Sequence, residues 1–483
     1  MKLLLSLSFL LISFCASAQN IGIEQWMATF LKDETIKNAP ISICVQDLST
    51  STTLLDVNQE LSLTPASVLK ILTTATAFEV LGKDYRFETV LSYRGHLKNG
   101  TLTGDLIIHG GGDPSLGSDF VFGKSKRNFY TNWVAAIREA GIDTIIGNIV
   151  ADPSIYADQD VPQTWIWEDL GNYYGAAAQG ISLYDNTFKL VFKTENMDGG
   201  TTKIIRTEPF IPNLELQNEV RSSNDLRDRS IVFGSPYDNF RIVKGTLAKG
   251  REELKIRASI PDPALLLAYE LKQELSASGI MVSGQIQKEH SDHILHSASD
   301  SILLKWPSPP LFEIIQQLNF FSINLFAEHL CKHLGLIVNG EGSSQAGLEV
   351  IQNFWEKEAL NTDFLFLADG SGLSRSNAIS AKLLVDILNY MHHDTVYATY
   401  FANTLPLAGL EGTQQYYFQK SFLKGNAQIK SGSMTRVRSF AGYMNTNKNT
   451  PIAFAIIINN FNDGSFPMAQ KLEELIEEIF LYY

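Results

Sequence analysis

The chain has 483 residues, of which 45% are hydrophobic and 19% are charged, a composition that predicts a folded chain with a large core. At roughly 100–200 residues per domain, this length predicts two to four domains. The 39 lysines and arginines stand against 52 aspartates and glutamates, which leaves a net charge of −13. That balance argues against nucleic acid and against an acidic membrane surface as partners.

Residues 1–18 have the pattern of a secretory signal peptide. Lys2 gives a positive start, Leu3 to Phe14 is an apolar run broken only by serines, and Ala16-Ser17-Ala18 is a small-residue cleavage site before Gln19. The run is too short to span a membrane, and no later segment offers about 18 uninterrupted apolar residues. A lipoprotein interpretation through Cys15 is disfavoured by the bulky residue before it. We therefore expect an exported chain without stable membrane insertion.

Such a mature chain keeps two cysteines. Cys44 lies in a strand-like apolar run and Cys331 in a helix-like one. Two cysteines are too few for a disulfide framework or a zinc site. Both are predicted to be buried small hydrophobes.

The first elements in chain order are a helix, a hairpin and a second helix. Residues 21–31 have helical spacing, and residues 41–57 contain two short β-like runs joined by a polar turn. The second helix is predicted to begin with Thr64 as its N-cap and Pro65 as its first residue, and to end at Gly82.

The middle of the chain differs from both flanks. From about residue 90 to 285, short strand candidates are separated by Gly, Asp and Pro, which predicts one or two small α/β units. From about 286 the chain is helical again, with continuous apolar spacing from Pro310 to Leu334. Three strands and a closing amphipathic helix are then predicted at Ala427–Lys430, Arg436–Met444, Ile452–Asn459 and Met468–Phe480. The two ends of the chain would share one mainly antiparallel sheet.

Ser67 and Lys70 are the first residues that suggest chemistry. They are three positions apart near the start of an apolar helix, so their side chains lie on one face. A buried lysine must be paired or have a lowered pKa, and a lowered pKa makes it a base. A serine beside such a base is typical of nucleophilic acyl transfer. The pattern alone is equally typical of a helix start with a lysine that reaches solvent, and a second copy at Ser421–Lys424 has no helical context.

Two further segments favour the catalytic interpretation. Ser322-Ile323-Asn324 puts two polar residues in an apolar helical stretch, although S-x-N also occurs at Ser222–Asn224 and fits a helix cap. Lys430-Ser431-Gly432-Ser433 occurs once, at the end of a predicted strand, where a Gly-Ser hairpin turn is the ordinary alternative. Versions of S-x-x-K, S-D-N and K-T-G in this order are typical of penicillin-binding proteins and class A β-lactamases.

The chain resembles the D-alanyl-D-alanine carboxypeptidases of the penicillin-binding-protein-4 type, peptidase family S13. The segments that carry the resemblance follow the order of the family: Pro65–Lys70, His109–Leu116, Asn319–Glu328, Asp369–Arg375, Leu405–Thr413 and Lys430–Tyr443. From Ser67 to Ser322 there are 322 − 67 = 255 residues, more than a class A β-lactamase would place there, which favours this family. Ser431 and Ser433 stand where the family has threonines, and Ile323 stands where it has an aspartate.

The resemblance implies an α/β (α+β) fold with a penicillin-recognising serine transpeptidase or β-lactamase-like domain. Its antiparallel sheet would be flanked by helices, and the domain would carry a large inserted α/β region. We divide the chain into a signal peptide (1–18), a first domain part (19–90), the inserted region (91–285) and a second domain part (286–483). Because the three motifs lie outside the insertion, we do not expect the insertion to supply chemical groups.

The resemblance also implies a function, namely a serine-type D-Ala-D-Ala carboxypeptidase that acts on peptidoglycan stem peptides in the periplasm. It would need no metal or other cofactor, and β-lactams would inhibit it covalently. Ser67 would be the nucleophile, Lys70 its general base and Ser322 a proton relay. The substrate-binding residues would be Asn324 for the amide, the backbone N–H groups of Ser67 and Ser433 for the oxyanion, and Lys430, Ser431, Gly432, Ser433 and Arg375 around the carboxylates.

Several alternatives stay open at this point. The same residues would serve a β-lactam-hydrolysing enzyme, a degenerate site would leave a non-catalytic wall-peptide-binding protein, and D,D-endopeptidase action is not separated from carboxypeptidase action. Arg375 has an ion pair with Asp369 as its alternative role. His329 and His333 lie one helical turn apart and suggest a metal, but without an H-E-x-x-H pattern we predict a surface or core role for them.

Overall fold

A computed structural model describes residues 22–157, 161–289, 300–393 and 395–483. The predicted signal peptide lies outside these ranges. Within them, every helix is either too short or too polar to cross a membrane.

The helices and strands are numbered in chain order. The helices are α1 (22–30), α2 (Lys70–Leu81), α3 (Asp119–Phe122), α4 (Asn128–Glu139), α5 (Trp167–Leu170), α6 (Pro263–Ala277), α7 (Leu311–Phe321), α8 (Asn324–Asn339), α9 (Ser344–Lys357), α10 (Ala381–His393), α11 (Ala398–Ala402) and α12 (Ser465–Tyr482). The strands are β1 (Ile41–Asp47), β2 (Thr53–Val57), β3 (Glu88–Lys98), β4 (Thr101–His109), β5 (Thr144–Ile146), β6 (Ile149–Asp152), β7 (Thr187–Thr194), β8 (Thr202–Glu208), β9 (Glu215–Ser223), β10 (Ile231–Phe233), β11 (Phe240–Ala248), β12 (Leu254–Ser259), β13 (Met281–Val282), β14 (Ile286–Lys288), β15 (Ser301–Pro307), β16 (Ala427–Met434), β17 (Val437–Asn445) and β18 (Pro451–Asn459).

A five-stranded antiparallel sheet joins the two ends of the chain in the order β16-β17-β18-β1-β2. β18 reads as a continuous apolar run because both of its faces are buried. Ala453, Ala455 and Ile457 contact the core built by α2, α8, α9 and α10, whereas Ile456 and Ile458 contact the core built by α1 and α12. The shared antiparallel sheet that the sequence predicts is confirmed.

The middle of the chain has its own hydrophobic core. Here a seven-stranded sheet accompanies two three-stranded sheets, β10-β11-β9 and β12-β7-β8. β14 and β15 belong to the seven-stranded sheet, with β15 antiparallel to β3. This sheet therefore continues to Pro307, beyond residue 285 where the sequence pattern placed the boundary. Local periodicity does not reveal such a long-range pairing.

The start of α2 differs from the predicted cap. A 3-10 turn at Ala66–Leu69 precedes the helix, and Ala66 has a φ of 51°. Thr64 does not cap this turn, because its hydroxyl instead donates to the carbonyl of Arg375 at 3.4 Å. The predicted end is confirmed, since Gly82 follows the last helical residue with a φ of 80°.

The apolar stretch from 310 to 334 is two helices and not one. α7 ends at Phe321, Ser322 takes a left-handed conformation (φ 58°, ψ 44°), and α8 begins at Asn324. Apolar residues are buried on both sides of the break, so the periodicity continues through it. The break puts Ser322 in a bend, where its side chain contacts β16.

Candidate active site

The three predicted motifs meet between the start of α2, the break before α8 and strand β16. Lys70 Nζ donates hydrogen bonds to Ser67 Oγ at 3.0 Å and to Asn324 Oδ1 at 2.6 Å. Lys430 Nζ donates to Ser322 Oγ at 2.9 Å. Residues far apart in the sequence therefore form one polar cluster.

Lys70 is fully buried, and its amine has three acceptors around it. The third is the carbonyl oxygen of Ser371, at 2.6 Å. Desolvation lowers the pKa of Lys70 to about 7, against the opposing effect of the Asp369 and Glu328 carboxyl groups. A neutral amine can keep two of these hydrogen bonds and turn its lone pair to the Ser67 hydroxyl. The geometry therefore fits a general base beside a serine.

Lys430 is also fully buried. Its ammonium contacts the Ser322 hydroxyl and, at 3.1 Å, the carbonyl oxygen of Ser431. Burial, with a smaller effect of the Lys70 charge, holds the pKa of Lys430 well below its ordinary value. Lys430 is therefore a buried neighbour of Ser322, which it contacts through a hydrogen bond.

Strand β16 is an edge strand of its sheet, and successive residues face opposite ways. Ser431 is buried, whereas Ser433 is exposed with its hydroxyl 3.2 Å from that of Ser465 at the start of α12. The N–H of Ile429 donates outward, to Pro406. Because an antiparallel strand repeats every two residues, the N–H of Ser433 points to that same outer edge. The turn containing Ser67 packs against β16 and against its neighbour β17.

Gly432 is the point of closest approach between β16 and the turn that carries Ser67. A Cβ atom on Gly432 would lie 2.3 Å from Ser439 Oγ, 2.7 Å from the Pro65 carbonyl oxygen and 2.9 Å from the Ser67 nitrogen. Two of these three are backbone atoms, which cannot rotate away. Glycine at this position is therefore required by the packing of the strand on the serine.

We expect Gly432→Ala to impair the site without unfolding the protein. The added methyl group pushes β16 away from Ser67, with an overpacking cost of about 1–3 kcal/mol. Where this cost falls on the transition state, acylation by a labelled penicillin should slow by about 5- to 150-fold. An unchanged acylation rate in the folded variant would contradict this role of Gly432.

The loop of residues 369–375, which follows α9, supplies the Ser371 carbonyl oxygen that accepts from Lys70. Asp369 is fully buried and accepts hydrogen bonds from the Gly372 and Ser374 N–H groups, at 2.7 and 2.5 Å, and from the side chains of Asn377 and Trp165, each at 2.8 Å. These four donors fix the loop whose Ser371 carbonyl receives the Lys70 hydrogen.

Arg375 does not pair with Asp369, so that alternative is wrong. The carboxylate of Asp369 is occupied by the loop itself, and the exposed Arg375 forms no ion pair within 4.0 Å with any carboxylate of the described residues. The charge of Arg375 acts on Asp169 of the middle region, whose pKa it lowers against the larger raising effect of burial. The guanidinium is therefore accessible to a ligand.

Glu328 lies one helical turn after Asn324 on α8 and is nearly fully buried. One of its oxygens accepts from the Gly370 N–H at 3.2 Å. Burial, together with the Asp369 charge, raises the pKa of Glu328. The motif pattern includes this glutamate, but only the folded chain places it behind Lys70.

The middle region contacts the cluster directly. Asn324 Nδ2 donates to the carbonyl oxygen of Tyr174 at 2.8 Å, and Trp165 holds Asp369. On the next turns of α8, Lys332 Nζ donates to the Ala178 carbonyl oxygen at 2.9 Å. The described residues of the middle region thus orient site residues. Backbone carbonyls make most of these contacts, and they leave no motif in the sequence.

His329 and His333 lie in the core, one of the two roles predicted for them. His329 is hydrogen-bonded to the Gly112 carbonyl oxygen and the Ser182 hydroxyl, at 2.9 and 2.8 Å, and His333 to the Tyr85 hydroxyl at 2.7 Å. Burial lowers the pKa of His329 to about 3 and that of His333 to about 4, so both are neutral. Across the described ranges, no three His, Cys, Asp or Glu side chains are placed to hold a metal ion.

The remaining sequence predictions concern buried cysteines and the second S-x-x-K copy. Cys44 and Cys331 are both buried and form no disulfide, as predicted.

Ser421 and Lys424 lie in a turn, where the Ser421 hydroxyl accepts from the Leu423 N–H at 3.0 Å and Lys424 Nζ contacts Gln419 at 3.3 Å. In this second S-x-x-K copy the Ser421 and Lys424 side chains have other partners and do not hydrogen-bond to each other.

The mixed α/β fold, with its antiparallel sheet between helices and the Ser67–Lys70 pair at its edge, defines a penicillin-recognising serine enzyme. The chain belongs to the D-Ala-D-Ala carboxypeptidase 3 (S13) family, whose model matches residues 23–475. It is therefore a peptidase, and the predicted family and fold class are confirmed.

Two relatives give the extent of the likeness. The chain is 25% identical over 492 residues to the D-alanyl-D-alanine carboxypeptidase DacB of Haemophilus influenzae, covering 99% of this chain and 97% of that protein. The crystal structure of penicillin-binding protein 4 (dacB) from Haemophilus influenzae superposes with a TM-score of 0.80 at 24% identity, covering 94% of this chain and 99% of that one. The same protein complexed with a β-lactam superposes with a TM-score of 0.77 at 22% identity and the same coverage.

Proposed function

We propose that this protein hydrolyses the terminal D-Ala-D-Ala peptide bond of peptidoglycan stem peptides through an acyl-enzyme on Ser67. The observation that carries the proposal is the buried Lys70 amine, which lies 3.0 Å from Ser67 Oγ and has its pKa lowered to about 7 by desolvation. Family membership supplies the substrate class.

In the first step Ser67 Oγ attacks the carbonyl carbon of the scissile bond, and Lys70 Nζ takes the hydroxyl proton. Negative charge develops on the carbonyl oxygen. The N–H groups of Ser67 and Ser433 are the donors for that oxyanion, since the turn and the edge strand that carry them pack together at Gly432. One such donor is typically worth about 3–4 kcal/mol in the transition state.

In the second step the C–N bond breaks, D-alanine leaves with a proton on its amine, and the acyl group stays on Ser67. This is the proton that Lys70 took from Ser67, and Ser322, whose hydroxyl accepts from Lys430 Nζ, is suited to relay it. Lys70, neutral again, takes a proton from the water that attacks the ester and returns it to Ser67 Oγ when the ester bond breaks. The peptide leaves with a carboxylic acid group, which loses its proton to solvent.

Asn324 has two roles in this scheme. Its carbonyl oxygen holds Lys70, and one N–H hydrogen is used by Tyr174. The amide nitrogen has a second hydrogen, which can serve the substrate amide. Ile323, where the family has an aspartate, takes no part in these contacts.

Carboxylate recognition is divided between Lys430 and Arg375 in this proposal. The buried Lys430 donates to the Ser322 hydroxyl, and a substrate carboxylate bound beside them would favour the protonated form of the lysine that burial disfavours. The exposed Arg375 is placed to bind an additional carboxylate on the stem peptide bidentately. The exposed Ser433 hydroxyl contacts Ser465 and remains a candidate contact at the rim.

These two cations should give different kinetics. We expect Lys430→Ala to weaken reaction with every substrate and with penicillin, because each presents the carboxylate. Arg375→Ala should penalise only stem peptides that carry the extra carboxylate, by about 1.5–3 kcal/mol for a lost charged hydrogen bond. The measurement is kcat/KM on simple and carboxylate-bearing D-Ala-D-Ala peptides. Equal losses on both would assign Arg375 a structural role.

A labelled penicillin tests the proposed function itself. A β-lactam offers the amide and carboxylate that the site is proposed to bind, so the carboxypeptidase should be labelled stably. Rapid turnover of the label would favour the β-lactam-hydrolysing alternative, and no labelling would favour a non-catalytic binding protein. Digestion of purified peptidoglycan with mass spectrometry of the products separates carboxypeptidase from endopeptidase action.

The proposal includes a location. The signal-peptide pattern of residues 1–18 and the family's wall substrate together support export to the periplasm, with peptidoglycan stem peptides as the partners.

A further inference from the structure

A charged cavity of about 290 Å³ lies in the middle region, outside the cluster around Lys70. Three basic and three acidic side chains line it: Lys126, Lys189, Arg257, Asp119, Asp185 and Glu208. None of these residues has a part in the proposed reaction.

The cavity lies beside the candidate active site, as two chains of contacts show. On one side Phe120, which lines the cavity, packs on Phe321, with ring centroids 5.0 Å apart, and Phe321 precedes Ser322. On the other side the Arg257 guanidinium lies 3.9 Å from the ring centroid of Tyr173, the neighbour of the Tyr174 whose carbonyl holds Asn324. The cavity thus contacts segments that also carry residues of the candidate active site.

The positive charge in the cavity is incompletely compensated at Arg257. Lys126 is paired with Asp119 at 2.7 Å, and Glu208 is paired with residues outside the cavity. Arg257, by contrast, is exposed and has no carboxylate within 4.0 Å in the part of the chain that the structure describes. A planar guanidinium stacked on an aromatic ring and open to solvent is suited to bind a carboxylate.

The negative charge is incompletely compensated at Asp185. This residue is only 6% exposed, and its Oδ1 has no hydrogen-bond partner among the described residues. Its other oxygen accepts from the Asp119 N–H at 3.1 Å. Burial raises the pKa of Asp185 to about 6, against the lowering effects of the Ser118 hydroxyl, the Asp119 N–H and the Lys126 charge, so the carboxylate is mostly ionised at neutral pH. An ammonium group in the cavity would add to the partial compensation that Lys126 gives this carboxylate.

The turn that presents Asp185 is strained. Tyr184, Asp185 and Asn186 have φ values of 55°, 58° and 48°, three consecutive left-handed residues without a glycine. Asn186 fixes the turn by accepting from the Leu183 N–H at 2.9 Å and donating to the Ala177 carbonyl oxygen at 2.8 Å. Strained backbone of this kind occurs preferentially at functional and ligand-binding sites.

We propose that this cavity binds a zwitterionic amino-acid group, with its carboxylate on Arg257 and its ammonium toward Asp185. The group is delivered by a second stem peptide of the wall or as free D-alanine released by the reaction. The proposal extends the proposed function, because it gives the enzyme a second contact with its substrate or product.

The experiment measures binding and activity with two variants. Arg257→Ala removes the cation, and Asp185→Asn removes a charge while keeping a residue type that tolerates positive φ. Arg221→Ala, at an exposed arginine of β9, is the matched control. Free D-alanine, a monomeric stem pentapeptide and a cross-linked stem-peptide dimer are titrated by calorimetry onto each protein carrying Ser67→Ala in addition, so that the peptides are not hydrolysed. The kcat/KM on both peptides is measured with Ser67 intact.

We expect each variant to weaken binding of at least one zwitterionic ligand by roughly 10- to 100-fold, the effect of one charged hydrogen bond. Penicillin acylation should stay within about twofold of the wild type, because Arg257 and Asp185 line the cavity and are not among the partners of Lys70. Loss confined to the dimer identifies the second stem peptide, and loss of D-alanine binding identifies the product. Wild-type binding that the variants leave unchanged, or no binding of any of the three ligands, overturns the proposal. Penicillin acylation tests the proposed function, and the binding titration tests the cavity. Failure of the wild type to react with penicillin would therefore count against the proposed function and not against the cavity.

Discussion

Ser67→Ala should abolish both penicillin labelling and D-Ala release. The change removes one oxygen atom from a half-buried side chain and leaves the helix start intact, so the loss would be chemical and not a loss of fold. Without the hydroxyl no acyl-enzyme forms, and residual activity falls to whatever water and the oxyanion donors supply. Labelling followed by mass spectrometry of the intact protein, together with a D-alanine assay, measures both effects.

Ser421→Ala is the matched control for this experiment. It removes the hydroxyl from the second S-x-x-K copy, which lies in a turn. We expect full labelling and full D-Ala release in this variant. The opposite pattern, with Ser421→Ala inactive and Ser67→Ala active, would reverse the assignment of the nucleophile.

Lys70→Met should reduce the acylation rate by about 10²–10⁴-fold, the usual contribution of a general base. Methionine has a similar length and removes the buried amine, but it leaves Asn324 Oδ1 and the Ser371 carbonyl oxygen without their donor. We therefore expect a loss of stability of about 1–3 kcal/mol, and circular dichroism checks that the variant is folded. The decisive measurement is the pH dependence of acylation. In the wild type the neutral fraction of Lys70 grows as pH rises through its pKa of about 7, so the rate should rise with it.

The variant should lose that rise, because no lysine proton remains to be removed beside Ser67. Lys424→Met, at the lysine of the second S-x-x-K copy, is the control and should keep both the rate and the pH profile. If Lys70→Met retained the acidic limb of the profile, the titrating group would be another residue and Lys70 would not be the base.

The contacts that the sequence could predict are those fixed by local spacing. Ser67 and Lys70 meet because three helical or 3-10 positions bring two side chains to one face. Lys430 and Gly432 face the same way because a strand alternates. The order of the motifs then indicated that these segments converge, although not at which distances.

The contacts that the sequence could not predict come from backbone atoms and long-range packing. The Ser371 carbonyl that orients Lys70 and the Tyr174 carbonyl that orients Asn324 have no side-chain identity to recognise. The left-handed Ser322 is hidden because the apolar period of α7 continues into α8. The predicted N-cap at Thr64 is wrong because the Thr64 hydroxyl bonds to the carbonyl of Arg375, a partner distant in the sequence. The chain turns at Ala66, which has a positive φ.

The position of β1 between β2 and β18 affects the order in which the chain can fold during its synthesis. Ile41 of β1 pairs with Ile458 of β18, so a growing chain holds its first strand without one of its two neighbours until almost all of the sequence has been made. Pairings between such distant segments form late, since closing a long loop must precede them. The proposed base near one end and Lys430 near the other are brought together by this same sheet. A partly synthesised chain is thus expected to be inert, and reactivity toward wall peptides would arise only when the last strands have joined the first.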